Sequence, residues 1–144
     1  MDRIVRDLTP GRRSEEDRPR YFSEYAERAN IVLLGDPGSG KSHLFGIVAG
    51  TEGGRFVTVR HFLATPVTEK GEVLFIDGLD EKRAGRGDRD TVDALVTKLF
   101  EAAPSQVRLS CRAADWLGES DLASLQPFFD KSACGAQSRC AERR

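Results

Sequence analysis

Gly35-Asp36-Pro37-Gly38-Ser39-Gly40-Lys41-Ser42 follows the apolar run Ile31-Val32-Leu33-Leu34 and precedes a helix-compatible run from Leu44 to Ala49. The octet fits G-x-x-x-x-G-K-[ST], the phosphate-binding loop pattern, and the strand–loop–helix context gives that pattern a physical basis. Gly35, Gly38 and Gly40 open backbone conformations closed to other residues, so consecutive N–H groups can face inward around an anion. Lys41 adds a point charge for terminal phosphates and Ser42 offers a hydroxyl to Mg2+. The helix N-terminus adds its own partial positive charge. The stretch expected to contact a nucleoside triphosphate is Gly35, Asp36, Pro37, Gly38, Ser39, Gly40, Lys41, Ser42 and His43. The imidazoles of His43 and His61 read as packing or surface groups rather than ligands.

A chain of 144 residues suits one domain with a real core. Its 22 basic and 23 acidic residues nearly cancel, so no global field argues for nucleic acid or an anionic membrane. No apolar run approaches a membrane span, and the opening Met1-Asp2-Arg3-Ile4-Val5-Arg6-Asp7 is too charged for a signal peptide. The three cysteines are odd in number and lack metal-ligand pairing, which reads as free, reduced thiols. A cytoplasmic location is the expectation.

Around the octet, the order of elements is readable. Residues 1–20 hold Pro10-Gly11, Pro19 and dense mixed charge, and read as a loose leader. Tyr21, Phe22, Tyr25 and Ala26 predict a short amphipathic helix. Residues 31–34 read as a central parallel strand covered on both faces, and a helix runs from about Lys41 to Ala49 with Gly50 as its stop. A second strand is expected over 55–59, an ambiguous stretch over 61–65, and a third buried strand over 73–76. A charged, glycine-bearing loop over 81–89 leads to a helix capped by Asp90 or Thr91. Its core stripe is Val92, Leu95, Val96, Leu99 and Phe100. A fourth strand over 107–111 and a short helical segment carrying Leu117, Leu122, Leu125, Phe128 and Phe129 follow, with Trp116 expected to anchor the core. Residues 130–144 read as an unstructured tail. Alternation of strands and helices predicts a three-layer α/β fold of P-loop NTPase type over residues 21–129, with a mainly parallel sheet.

A phosphate loop needs an acidic partner, because Mg2+ takes oxygen ligands and must be held beside the phosphates. Thirty-six residues after Lys41, the third strand runs into Asp77-Gly78-Leu79-Asp80-Glu81. Asp77, at the carboxyl end of the strand, is the expected metal holder with Ser42, either directly or in the outer sphere. Asp80 or Glu81, just beyond, is expected to polarise an attacking water as general base.

Val73-Leu74-Phe75-Ile76-Asp77-Gly78-Leu79-Asp80-Glu81 resembles the second signature of the NACHT group of STAND nucleoside triphosphatases. There a small residue follows the metal-binding aspartate and further acids lie just beyond. Ordinary AAA+ proteins place the catalytic glutamate where this chain has Gly78. Leu109-Ser110-Cys111-Arg112 is similar to the family's sensor segment, which implies that Arg112 approaches the γ-phosphate, with Ser110 as a weaker sensor candidate. The resemblance spans roughly residues 30–117 and implies an ATP- or GTP-driven switch whose slow hydrolysis governs assembly. The chain holds no motif that chooses ATP over GTP. No fifth strand is readable after Arg112, so the fold is expected to be incomplete on its C-terminal side. Self-association through an unpaired sheet edge, or further C-terminal domains, is the expected partnership beside the nucleotide.

Three other readings fit parts of the same pattern. A non-catalytic nucleotide-binding or regulatory module would bind without turnover. An AAA+ helicase-loader-like ATPase is suggested by Gly-Lys-Ser-His-Leu at 40–44. A small P-loop kinase would use Arg83, Arg86 and Arg89 as a lid over its substrate.

Overall fold

A computed structural model describes residues 3–5, 19–83 and 88–141, with side chains up to Ser132. Strands β3 (Asn30–Gly35), β4 (Arg55–Thr58), β5 (Val73–Asp77) and β6 (Gln106–Arg112) form one sheet in the order β3-β6-β5-β4, all parallel. A separate two-stranded ribbon pairs β1 (Ile4–Val5) with β2 (Arg20–Tyr21) in antiparallel fashion. Among the described residues the helices are α1 (Lys41–Glu52), α2 (Val59–Ala64), α3 (Leu79–Lys82), α4 (Asp90–Ala102) and α5 (Glu119–Ala141), with 3-10 turns at Phe22–Tyr25 and Ala113–Asp115.

Alternation along the strands distributes side chains to two cores. Leu74, Ile76, Val107, Leu109 and Cys111 face α2, α4 and α5, whose Phe62, Leu95, Leu99 and Phe128 fill the larger cluster. On the opposite face Phe75 meets Leu44, Phe45 and Ala49 of α1, with Phe22 beneath them and Ile31 and Leu33 alongside. The result is a mixed α/β fold with a parallel sheet flanked by helices, in keeping with a three-layer arrangement.

Several expectations shift. Strand β3 lies at an edge of the sheet among the described residues, not at its centre, and all six of its residues are half-buried. Its apolar run reflects cover on both faces, which an edge strand can also have. Helix α1 passes through Gly50 and ends at Gly53, whose left-handed φ of 76° closes the helix by donating to the Ala49 carbonyl. The ambiguous 61–65 stretch belongs to α2, which Thr58 caps by accepting from the His61 N–H at 3.1 Å, so β4 gives way one residue early. The short helix expected near Tyr21 is a 3-10 turn. The cap of α4 comes from Asp88, which accepts from both the backbone N–H and the hydroxyl of Thr91, rather than from Asp90 or Thr91. Within the α4 stripe, Val92, Leu95 and Leu99 are buried while Phe100 is partly exposed.

The leader and the tail also differ from expectation. Ile4–Val5 pair with Arg20–Tyr21 and the Arg3 carbonyl accepts from the Phe22 N–H, so part of the expected leader is held in a ribbon; residues 1–2 and 6–18 lie outside the described residues. Helix α5 continues from Glu119 to Ala141, through most of the stretch expected to be unstructured. Ala, Gln, Ser, Lys and Arg favour or tolerate helix without any apolar packing, so the loss of hydrophobic pattern after Asp130 does not end the helix. Among the described residues no helix is long and apolar enough to cross a membrane.

Candidate functional site

At the carboxyl ends of β3, β5 and β6 the polar residues of three segments meet. Gly35 closes β3, and the loop turns into α1 at Gly40, whose φ of 83° only glycine adopts readily. A Cβ at Gly40 would also collide with the guanidinium of Arg3, which donates to the Ser39 carbonyl. The β1 strap therefore reaches the loop, a contact that the reading of residues 1–20 as loose does not anticipate. Lys41 curls back so that its Nζ donates to the carbonyls of Gly35 at 2.9 Å and Asp36 at 3.0 Å, and to the Ser39 hydroxyl at 3.3 Å. Asp36, Pro37, Gly38 and His43 are exposed along the loop and the first turn of α1.

Asp77 ends β5 and is buried, with 8% of its surface exposed. The Ser42 hydroxyl donates to Asp77 Oδ2 at 2.6 Å, bridging 35 positions of sequence. The Ser110 hydroxyl donates to Asp77 Oδ1 at 2.5 Å while accepting from the Gly78 N–H at 3.0 Å. Ser110 thus fixes the carboxylate plane, and it leaves the second oxygen facing Ser42. The sequence marks Ser110 only as a weaker sensor candidate, through the resemblance; the structure places its hydroxyl on Asp77.

The structure separates the two acids that follow. Left-handed Gly78 (φ 82°) starts the single turn of α3. Asp80 turns toward β6, accepting from the Arg112 backbone N–H at 3.0 Å and pairing with Arg112 Nε at 3.1 Å. The Asp80 side chain is 8% exposed, whereas that of Arg112 is 48% exposed. Glu81 is exposed, and its carboxylate folds over Gly78, close enough that a Cβ there would lie 3.2 Å from Oε2. Asp80 is therefore engaged with the sensor candidate, and Glu81 lies nearest the exit of β5.

Two ions fit or fail this donor set on chemical grounds. Among the described residues, no group of three or more His, Cys, Asp or Glu side chains could hold a metal, so a transition-metal site has no support there. Mg2+ needs less from the protein, because phosphates and water supply most of its six oxygens. The Ser42 hydroxyl and the Asp77 carboxylate, 2.6 Å apart, bring two oxygens to one place, where they would hold such an ion directly or through its bound water.

Three further polar residues define the surroundings. Arg83 is buried and joined to Asp121 by two 2.8 Å bonds; the carboxylate raises the already high basicity of the guanidinium. This placement removes Arg83 from any lid, while Arg89 is exposed and Arg86 lies outside the described residues. Burial pushes the Cys111 thiol up to about 12, so it stays protonated and packs as a small apolar group. Trp116 is half-buried against the larger core, as its expected packing role requires. A separate cavity of about 200 Å³ lies between the Phe22–Tyr25 turn and α1, with Val48, Glu52 and Arg108 in its wall, and none of the expected site residues lines it.

Neither a protein-family model nor a curated protein matches the chain. The geometry of the loop and its acids carries the functional reading alone.

Proposed function

We propose that the chain binds a nucleoside triphosphate with Mg2+ at the Gly35–Ser42 loop and hydrolyses it slowly, as a switch of the STAND/NACHT type. The observation that carries the reading is the 2.6 Å contact between Ser42 and Asp77 beside a lysine-bearing glycine loop. Loop amides and Lys41 would hold the phosphates, Lys41 exchanging its loop carbonyls for phosphate oxygens. Ser42 and Asp77 would hold the metal, which when bound neutralises charge on the transferring phosphoryl group. Glu81 is the base of choice, because Asp80 is already committed to Arg112. Its carboxylate would orient water and accept a proton. Arg112 would sense the terminal phosphate by leaving Asp80 for it. ATP is the first nucleotide to try, with GTP as its competitor.

Labelled ATP binding to the wild type and to Lys41→Ala tests this reading. The wild type is expected to bind and the variant to lose at least about a hundredfold in affinity, as loss of a charged phosphate contact in a preorganised loop implies. Equal binding by both proteins contradicts the loop assignment. The pairing of Arg112 with Asp80 favours a second reading, nucleotide binding without turnover, because the sensor candidate is already satisfied by the protein. Phosphate release by the pure chain separates the two.

A further inference from the structure

The acids of α3 sit on a helix of four residues, which has no stability of its own. Something else must set their positions. At its start, Leu79 is fully buried in the larger core. At its end, Arg83 turns inward: Nη1 and Nη2 bind the two oxygens of Asp121, Nη1 also donates to the Asp115 carbonyl at 3.0 Å, and Nε donates to the Asp88 carbonyl at 3.1 Å. Asp121 in turn accepts from the Leu117 N–H at 2.8 Å. One guanidinium therefore ties the end of α3 to the start of α5, to the turn that follows Arg112, and to the residue that caps α4.

We infer that Arg83 and Asp121 are positioning residues that hold α3, and with it Asp80 and Glu81, in register with Asp77. This deepens the proposed hydrolytic role and, for its catalytic consequence, rests on it. The pair is 2% exposed on both sides, so its formation strips water from two charges. Such pairs contribute little net stability and are often matched by apolar residues of similar volume, whereas removing one partner leaves an uncompensated charge. What an apolar replacement cannot reproduce is the forked, directional link. Asp80 is the first group to feel its loss, because its contacts with Arg112 are what join α3 to the end of β6.

The test uses the full chain carrying Arg83→Met together with Asp121→Leu, since either change alone is expected to strand a buried charge and unfold the protein. The double variant should melt cooperatively within about 10 °C of the wild type. Without nucleotide, the amides of residues 81 and 83, which donate to the carbonyls of Gly78 and Leu79, should exchange at least about tenfold faster than in the wild type. Those of β5 and β6 should keep their protection. With Mg·ATP, the turnover number should fall at least about tenfold while affinity changes by less than about threefold, the split expected when only catalytic geometry is disturbed. Unchanged exchange in α3 would overturn the inference, as would a uniform loss of protection across the sheet. If the wild type neither binds nor hydrolyses a nucleotide, the proposed function fails, and the exchange comparison still decides the positioning role.

Discussion

The two ends of β6 satisfy their polar side chains by different means. Near the amino end, Arg108 is 1% exposed and donates to the carbonyls of Ala26 at 3.0 Å, Ala29 at 3.3 Å and Val107 at 3.2 Å, and to Gln106 Oε1 at 3.2 Å. Burial lowers its pKa to about 10, which still leaves it charged at neutral pH. At the carboxyl end, Ser110 and Arg112 bond to Asp77 and Asp80, and Asp77 bonds onward to Ser42. Main-chain carbonyls are fixed partners, so Arg108 acts as a rivet beneath the turn that precedes β3. Asp80 lies on a single turn and the side chain of its partner Arg112 is 48% exposed, so a ligand with phosphate oxygens could draw that guanidinium away. One strand thus bears a structural end and an exchangeable end.

Mutations at each end should separate stability from ligand response. Arg108→Ala should give the largest effect, a loss on the order of 3 kcal/mol in denaturant unfolding, since several buried carbonyls lose their donor and a cavity opens. A loss below about 1 kcal/mol would erase the contrast. Glu81→Gln should leave thermal stability and ATP affinity nearly unchanged while phosphate release slows by roughly a hundredfold. Turnover at the wild-type rate would remove Glu81 from the chemistry. Ser110→Ala lies between the two, with an unfolding cost of about 1–2 kcal/mol from the unmet Gly78 N–H and Asp77 oxygen. Its Mg·ATP affinity should weaken by about tenfold and its metal-free ATP affinity should not, as calorimetry in the presence and absence of Mg2+ would register.

Local chemistry explains which features are legible in the sequence. That the loop octet meets Asp77 is readable because a glycine loop and an acid that both follow apolar strands of a parallel sheet come to the same end of it. The parallel α/β arrangement follows from alternating elements in the same way. The choice between Asp80 and Glu81 is not local: both lie within one turn of Asp77, and it is Arg112, 32 positions beyond Asp80, that engages the first and leaves the second exposed. The edge position of β3 among the described residues is likewise hidden, because an apolar strand registers the cover on its faces and not the number of its neighbours. By sequence Arg83 is one cation in a charged loop, and only the return of the chain at Asp121, 38 positions later, makes it buried. Arg3 reaches Ser39 across 36 positions from a segment whose composition reads as loose.

The most direct measurement is ATP titration with and without Mg2+ on the wild type and on Asp77→Asn, which keeps the shape of the side chain and removes its charge. If Asp77 and the Gly35–Ser42 loop form one site, Mg2+ should tighten ATP binding by at least about tenfold in the wild type and have little effect in the variant. A wild type that ignores ATP, or a variant that keeps the full Mg2+ enhancement, would contradict the account.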